Sequence, residues 1–425
     1  MPPVTATLKR QALAGAGLVA GRVPVDSAQL FAFMASPAVR ANPWPLYRRL
    51  HQRGPVRPGP YDAWLVASHA GVKQVLRHPA ASVDEWLAVG LTGTRPTGPF
   101  SALMGRSLLW TDPPDHARLR QLVSRAFTPR RVDALRPRVE SLIDDALARL
   151  RPLGSADLLA ELAYPLPVAV ICELLGMPGG ERPRLLRWAR HLAPRLDLSP
   201  FRDPEQNRLG DQAAVELAAF LDELIDDPSR RSPDGLLSAL VAVEEAGDRL
   251  ELAEVVSLCA LLLVAGFETT ANLVGNGLLA LLRHPDQLAR VRDGTVDPAV
   301  AVEELLRYEG PVQFTQRVVL EDLDVGGQHV PSRTLVALLI GAANRDPSVF
   351  ADPDRLDVGR QPNPHLAFSS GIHHCLGAAL ARLEAAVTIP AVLRSLPGLR
   401  LAARPRCRDT FVLRGLRSLP VAWRC

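Results

Sequence analysis

The most sustained helical pattern in the chain runs over residues 252–282 and is followed by Arg283-His-Pro285. At 1.5 Å per residue a helix of this length spans roughly 45 Å, enough to cross the whole molecule. Midway lies Ala265-Gly-Phe-Glu-Thr-Thr270, where an acid and two hydroxyls interrupt an apolar sequence. Burying such groups costs free energy unless they are paired or used. The pattern therefore predicts a core helix with a functional segment at its centre.

Within that segment, Glu268 and Thr269 form an acid–alcohol pair that can order water and transfer protons. Threonine is unfavourable inside a helix because its hydroxyl can bond to the carbonyl of residue i−4 and bend the helix. Gly266 has no side chain and would leave space for a planar group beside the backbone. The alternative is structural, with satisfied threonine hydroxyls and a glutamate in an internal salt bridge.

A second segment, residues 368–377, places Cys375 among glycines and directly before the helical run Ala378–Glu384. A helix N-terminus carries partial positive charge and free N–H donors, so it stabilises a thiolate. A thiolate held in such a loop is a suitable axial ligand for haem iron. Two alternatives are a buried structural cysteine and a zinc site on His373, His374 and Cys375, whose adjacent ligands lack the usual spacing.

A third segment reads Asp112-Pro-Pro-Asp-His-Ala-Arg-Leu-Arg120. Its aspartates and prolines predict a helix start. His116 and Arg120 are four residues apart and would share one helix face. Two cationic donors on one face can bind a ligand that bears a carboxylate, and the alternative is a solvent-exposed face.

Taken together, these segments resemble the cytochrome P-450 family over residues 38–425. The haem-binding signature F-x-x-G-x-H-x-C-x-G-x-x-L-A-R-x-E is matched by Phe368, Gly371, His373, Cys375, Gly377, Leu380, Ala381, Arg382 and Glu384. Ser369 departs from the glycine usual at its position. The central helix matches A-G-x-[DE]-T-T, and the third segment matches D-P-P-x-H-x-x-x-R.

The resemblance implies a mainly α fold with a small β part, prism-like, with haem b between the long helix and the cysteine loop. We predict a single oxygenase domain over residues 26–425 after a flexible extension over residues 1–25. The Gly/Pro-rich stretch at residues 79–109 would lie over the substrate pocket. Two helices around a polar loop at residues 197–210 would form a lid.

The resemblance also implies roles for individual residues. Cys375 would ligate the iron, and Glu268 and Thr269 would deliver the protons that O2 cleavage requires. The residues expected to bind the haem propionates are His116, Arg120, Arg317 and His373. The residues expected to face substrate are Val312, Gln313, Phe314 and Val412.

An acid–base pair, Glu304 and Arg307, is expected to be structural. An i,i+3 pair is weak evidence by itself. In the family this pair is buried and is locked by an arginine of a later turn, here Arg355 in Pro353-Asp-Arg-Leu356. The three residues would support the loop that carries Cys375.

Charge and cysteine content limit which partners and which cellular compartment are expected. The net charge is +4, but arginines are mixed with acids, so no nucleic-acid partner is predicted. The five cysteines are widely spaced and odd in number, which favours a reducing cytoplasm over a disulfide framework. The longest apolar run, residues 255–267, is shorter than the roughly 18 residues that span a bilayer, so no membrane partner is predicted.

The function implied is monooxygenation: insertion of one oxygen atom from O2 into a small organic substrate, by hydroxylation or epoxidation, in secondary metabolism. Electrons are expected from a separate ferredoxin and ferredoxin reductase. One alternative keeps the haem but performs oxidative cross-linking, desaturation or peroxide-driven turnover. Peroxide-using relatives typically lack the acid–alcohol pair. A second alternative is a non-catalytic haem-binding sensor.

Overall fold

The computed structural model describes residues 36–59, 63–88, 97–197, 204–245 and 248–424. The predicted extension over residues 1–25 lies outside the described residues. Helices dominate the described chain, and short strands form one five-stranded sheet and smaller two- and three-stranded ones. The mainly α prediction with a small β part is confirmed.

The described helices are α1 (Pro37–Ala41), α2 (Trp44–Arg53), α3 (His69–Arg77), α4 (Pro99–Met104), α5 (Asp115–Ala126), α6 (Pro129–Asp133), α7 (Arg136–Leu150), α8 (Pro165–Leu175), α9 (Arg182–Leu192), α10 (Pro204–Asp226), α11 (Leu236–Ala242), α12 (Leu252–Arg283), α13 (Pro285–Arg292), α14 (Pro298–Glu309), α15 (Ile340–Ala343) and α16 (Ala378–Ser395). Short 3-10 turns at Ala193–Leu196 and Gly371–His373 bear on the site described below.

The described strands are β1 (Val56–Pro58), β2 (Trp64–Val66), β3 (Ala81–Ser82), β4 (Ser155–Asp157), β5 (Glu244–Glu245), β6 (Asp248–Arg249), β7 (Thr315–Val319), β8 (Leu323–Val325), β9 (Gln328–Val330), β10 (Thr334–Leu338), β11 (Arg400–Leu401), β12 (Arg406–Cys407), β13 (Leu416–Ser418) and β14 (Pro420–Ala422).

Helix α12 forms the centre of the fold, as predicted. A capping box defines its start, where the side chains of Glu251 and Glu254 each accept a hydrogen bond from the other's backbone N–H. It ends at Arg283, two residues before Pro285, which begins α13. The helix packs against α4, α8, α10, α14 and α16. The largest hydrophobic core surrounds it, so its length fixes the spacing of the other helices.

The five-stranded sheet has the order β1-β2-β10-β7-β3. Strands β2 and β10 run parallel, and the other neighbours are antiparallel. Valine and leucine side chains of this sheet form a second hydrophobic core against α3. In the β10–β7 register Val336 lies opposite Arg317, which places Arg317 in the middle of the sheet.

Helix α12 also has the length and composition of a membrane-spanning helix. In the fold, 61% of its most apolar window is buried against other parts of the protein. The sequence predicted a core helix here rather than a membrane span. The burial shows that α12 serves as a core helix here.

Two predicted loops contain helices. Residues 79–109 include β3 and α4, and three side chains of α4 are buried: Phe100, Leu103 and Met104. Residues 89–96 of this stretch lie outside the described residues. The loop predicted at residues 197–210 overlaps α10, which begins at Pro204, a residue favoured in the first helical turn. Residues 198–203 of that predicted loop lie outside the described residues.

Candidate functional site

Cys375 lies between the turn Gly371–His373 and helix α16, and its residue is exposed. Its backbone N–H donates to Phe368 O at 2.9 Å, which closes the loop. Gly371 has a φ of +75°, and a Cβ there would come within 2.5 Å of Leu76 O, so only glycine fits. Ser369 has a φ of +64°, which is unusual for a residue with a side chain. The serine that departs from the family pattern therefore adopts the backbone conformation that glycine prefers.

Although solvent reaches Cys375, the protein packed around it partly desolvates the thiol and so raises its pKa, whereas the N–H of Gly377 and the charges of Arg120 and Arg382 lower it. The expected stabilisation of a thiolate is thus present but smaller than the cost of burial. A metal cation bound to the sulfur would supply the rest, because coordinating thiols are deprotonated outright.

Four basic side chains lie together beside this loop. The rings of His116 and His373 are 4.2 Å apart between centroids. Burial and the charges of Arg317 and His116 lower the pKa of His373 to about 3. Burial lowers the pKa of Arg317 to about 10, with Asp112 acting in the opposite direction.

This cluster fits an anionic ligand. His373 Nε2 is buried and has no hydrogen-bond partner. Asp112, the nearby acid, already accepts hydrogen bonds from Ser82 and from the backbone N–H of Val83. The structure brings together all four residues predicted to bind propionates, and because burial lowers the pKa of each of them, their cationic forms need an anionic partner. A haem with two carboxylates satisfies that requirement.

One face of α12 is open at its centre. The partly exposed positions there recur every three or four residues, at Leu261, Leu262, Ala265, Gly266 and Thr269. The positions between them are buried. This face of α12 is therefore partly accessible and mainly apolar.

The two residues of the acid–alcohol pair lie on different faces of α12. Thr269 lies on the open face, and its hydroxyl donates to Ala265 O at 2.7 Å, the back-bond that the sequence suggested. Glu268 is 1% exposed, and its Oε1 is 2.9 Å from Arg408 Nη1. Its Oε2 is buried without a partner. The structural alternative, an internal salt bridge, is thus present at Glu268, and the role in proton transfer stays a prediction.

Burial raises the pKa of Glu268; Arg408 opposes this rise, and the charge of Asp197 adds to it. A glutamate in this environment can hold a proton in the range where an exposed glutamate is ionised. Packing alone can explain a glycine at position 266, since a Cβ there would lie 3.2 Å from Ile171 Cδ1 of α8. Its predicted role beside a planar cofactor is untested.

Glu304 and Arg307 are fully buried and joined by two hydrogen bonds of 2.7 and 2.8 Å. The prediction that the side chain of Arg355 locks this pair is wrong. Arg355 is exposed, and it bonds to Arg307 only through its carbonyl oxygen. Arg360 supplies the second guanidinium, with its Nε 3.2 Å from Glu304 Oε2. Burial of Leu356 turns the preceding Arg355 outward.

Two of the four predicted substrate-facing residues point into the core instead. Gln313 is 3% exposed, donates to Gly310 O at 2.7 Å and accepts from Tyr47 OH at 3.1 Å. Phe314 is 5% exposed, and its ring lies 5.0 Å from that of Phe411. A buried amide needs partners, and the sequence alone did not indicate them.

The other two candidates remain available. Val312 and Val412 are partly exposed, and the bridge between Val312 and Leu413 places them on adjoining segments. Nothing here contradicts their predicted position facing substrate.

Residues that the sequence analysis did not assign also support the cysteine loop. Arg382 binds Glu303 through two hydrogen bonds of 2.7 and 3.0 Å, and its guanidinium lies 4.5 Å from the Phe368 ring centroid. His365 binds the same carboxylate at 3.0 Å. Although burial opposes it, these hydrogen bonds hold the pKa of Glu303 at about 2. The signal was present, since Phe368 and Arg382 both belong to the cysteine signature.

The zinc alternative loses its geometric support. Across the described residues, no three His, Cys, Asp or Glu side chains are grouped so that they could hold a metal ion. The four cysteines that the structure describes are free, and Cys172 and Cys259 are buried.

Comparison with known proteins agrees with the site. Residues 29–295 and 299–397 match the family model described as Cytochrome P450. Cytochrome P450 107B1 of Saccharopolyspora erythraea is 43% identical over 372 residues, covering 85% of this chain and 89% of the relative. Cytochrome P450 monooxygenase PikC of Streptomyces venezuelae is 41% identical over 397 residues, covering 90% and 92%.

Solved structures agree as well. P450BioI, crystallised with an acyl carrier protein ligated to hexadec-9Z-enoic acid, superposes with a TM-score of 0.85 at 36% identity over 92% of this chain and all of that one. CYP164A2 of Mycobacterium smegmatis gives a TM-score of 0.82 at 40% identity, covering 93% of this chain and 100% of the other.

The family's cofactor is haem b with a cysteine thiolate ligand, and its members oxidise small organic substrates with O2 and electrons from redox partners. The exposed cysteine loop, the cluster of basic side chains and the open face of α12 fit that cofactor. This chain therefore belongs to the cytochrome P450 family and is a haem-thiolate monooxygenase.

Proposed function

We propose that Cys375 is the thiolate ligand of the haem iron, in a single oxygenase domain over residues 26–425. The observation that carries this assignment is the position of an accessible thiol beside four basic groups whose cationic forms need an anionic partner. Arg120 lies close enough to affect the Cys375 thiol and also belongs to that basic cluster. A cofactor that is both a metal complex and a dicarboxylate could bind the thiol through its metal and the basic cluster through its carboxylates.

His116, Arg120, Arg317 and His373 would bind the two propionates. Planar guanidinium groups suit carboxylates because they can donate two parallel hydrogen bonds. His373 Nε2 gains the partner that it lacks, and the lowered pKa values of both histidines rise when an anion binds.

Bound haem supplies the redox chemistry that activates O2, and this chain supplies the protons. Glu268 can hold a proton on its unpaired Oε2 while Arg408 binds Oε1. The Thr269 hydroxyl, on the open face, can release Ala265 O and donate into the pocket. Together they would pass protons from the side of Arg408, which follows β12, to the open face of α12.

The substrate would be a large, mainly apolar molecule of the polyketide class. The open face of α12 offers Leu261, Leu262 and Ala265, and the adjoining turns offer Val312 and Val412. Relatives named PikC, 6-deoxyerythronolide B hydroxylase and the polyketide biosynthesis protein PksS support this class.

Electrons would come from a separate ferredoxin and its reductase, in the cytoplasm. The acid–alcohol pair supports this reading, because turnover with O2 needs protons delivered in step with electrons. Product formation with NAD(P)H, a ferredoxin and a reductase, but little with peroxide alone, would support it. Efficient turnover with peroxide alone would contradict it.

The thiolate assignment is tested by the carbon monoxide difference spectrum of the reduced protein. The wild type and the control Cys407→Ser, which changes another exposed cysteine, should give the red-shifted Soret band of thiolate-ligated haem. Cys375→Ser should lose that band. Retention of the band in Cys375→Ser would refute the assignment.

The substrate proposal is tested by optical titration with macrolide aglycones and, separately, with fatty acids. A low- to high-spin shift with the aglycones, followed by a hydroxylated product in mass spectrometry, is expected. Coupled or desaturated products would instead favour the alternative chemistry, and a shift without turnover would favour a sensor.

A further inference from the structure

A carboxylate outside the site described above connects the end of α9 to the turn over residues 409–413. Asp197 directly follows the 3-10 turn Ala193–Leu196. We call residues 182–197, which comprise α9, this turn and Asp197, the α9 segment. Asp197 is 4% exposed. Its Oδ2 accepts the backbone N–H of Phe411 at 2.8 Å, and its Oδ1 accepts that of Val412, also at 2.8 Å. Both oxygens of one buried carboxylate thus bind consecutive backbone donors.

The turn over residues 409–413 is held from the other side by backbone bonds. Val412 O accepts the N–H of Gln313 at 2.9 Å, and the N–H of Arg414 donates to Pro311 O at 2.7 Å. These bonds fix the turn against the segment that carries Val312. Asp197 is the contact that fixes it against the α9 segment.

We propose that Asp197 is a positioning residue that ties the α9 segment to the turn carrying Val412 and thereby sets the shape of the substrate pocket. The proposal rests on the proposed function for the role of Val412. The tie itself stands on geometry alone.

Asp197 suits this position because its carboxylate is charged and has two acceptors and no donor. A carboxylate that accepts two N–H bonds makes stronger hydrogen bonds than a neutral acceptor. An amide in its place would aim an NH2 group at one of the two N–H donors, so one bond must break. The segment that bears Asp197 and the turn that bears Val412 would then separate, and the pocket would have to be ordered again each time a ligand binds.

The first test is hydrogen exchange of the holoprotein, compared between wild type, Asp197→Asn and the control Asp293→Asn, which makes the same change on an exposed aspartate. In Asp197→Asn the amides of Phe411 and Val412 should exchange at least about tenfold faster, because each loses a charged acceptor. The control should match the wild type. Unchanged protection in Asp197→Asn would overturn the proposal whatever the identity of the iron ligand.

The second test uses two azole probes of different size. Binding of 4-phenylimidazole, measured by optical titration, should weaken about fivefold in Asp197→Asn, equal to roughly 1 kcal/mol. Imidazole, too small to reach the turn, should bind with unchanged affinity. Equal effects on both probes would overturn the pocket-shaping role, because they would report a general disturbance of the haem site.

If Asp197→Asn folds poorly, Asp197→Ser keeps one small acceptor without charge and is read in the same two ways. A wild type without the thiolate Soret band would refute the proposed function and leave the exchange test intact.

Discussion

Ser369 illustrates how one residue in the cysteine loop carries a cost that its neighbours avoid. Its backbone is left-handed, and its hydroxyl is buried without a hydrogen-bond partner. A left-handed conformation costs a residue with a Cβ roughly 1–2 kcal/mol. Glycine would remove that cost but add about 0.5–1 kcal/mol of unfolded-state entropy.

We therefore predict that Ser369→Gly stabilises the protein by up to about 1 kcal/mol. The reason is that relief of the left-handed strain slightly exceeds the entropy cost. Urea denaturation of the holoprotein measures the change. Gly371→Ala is the matched opposite, since its Cβ would meet Leu76 O, and it should destabilise. A destabilised Ser369→Gly would show that the serine hydroxyl has a partner that outweighs the strain.

Glu384 on α16 predicts a pH dependence. It is buried, and its burial raises its pKa to about 8. In the unfolded chain an ordinary glutamate ionises near 4.3. Between these two values the folded protein retains a proton that the unfolded chain has lost, so stability falls as pH rises, by up to about 1.4 kcal/mol per pH unit.

Glu384→Gln should remove this slope and raise stability at neutral pH. Melting temperatures of wild type and variant at several pH values between 5 and 8 check it. Parallel curves for the two proteins would show that Glu384 is already paired when folded.

Thr269 gives the prediction closest to the chemistry. Thr269→Ala should lower the amount of product formed per O2 consumed by about tenfold or more, because a positioned proton donor is lost. Simultaneous measurement of O2 uptake and product provides the ratio. Thr270→Ala, which changes the adjacent buried threonine, should leave the ratio near that of the wild type. Equal coupling in Thr269→Ala and wild type would remove Thr269 from the proton path.

At the scale of elements, the end of α14 is joined to the approach of the cysteine loop by one buried charge network. Glu304 accepts bonds from Arg307, Arg360, Asn363 and the backbone N–H of Asp357. Removing one partner of a buried ionic network leaves charge uncompensated, which is costly.

Arg360→Ala should therefore destabilise the protein by about 2 kcal/mol or more, whereas Arg355→Ala should change stability by less than about 0.5 kcal/mol. Thermal melts of the two variants compare the observed partner with the one that the sequence suggested. Equal losses in both would mean that Arg355 contributes through its side chain after all.

Elements with a strong local signal were predicted well. The start of α12 was predicted at its observed residue and its end within one, because apolar periodicity ended at a proline. The Cys375 loop and the His116 helix were also found, since each depends on spacing along the chain. Arg355, Gln313 and Phe314 were misplaced because their partners are distant in sequence and visible only after folding.

At the scale of the whole molecule, the cofactor completes the electrostatics of the fold. Burial lowers the pKa values of His116, Arg120, Arg317 and His373, which reflects the cost of enclosing basic groups. A ligand that binds only the folded state stabilises it by mass action.

Haem dimethyl ester, whose propionates are neutral, should therefore bind more weakly than haem and raise the melting temperature less. Reconstitution of the haem-free protein with each compound, followed by thermal melts, measures this. A protein with Arg317→Gln should discriminate less between the two, because one charged donor is gone. Equal stabilisation by haem and its ester in the wild type would contradict propionate binding by this cluster.

The pairing of β2 with β10 has a consequence for the order of folding. Trp64 lies opposite Val336, so β2 can pair with β10 only after the helical part of the chain between them has been synthesised. Likewise β4 pairs with β14, which is far from it along the sequence. Contacts so distant in sequence form late. The more local contacts between consecutive helices can therefore form before the five-stranded sheet is complete.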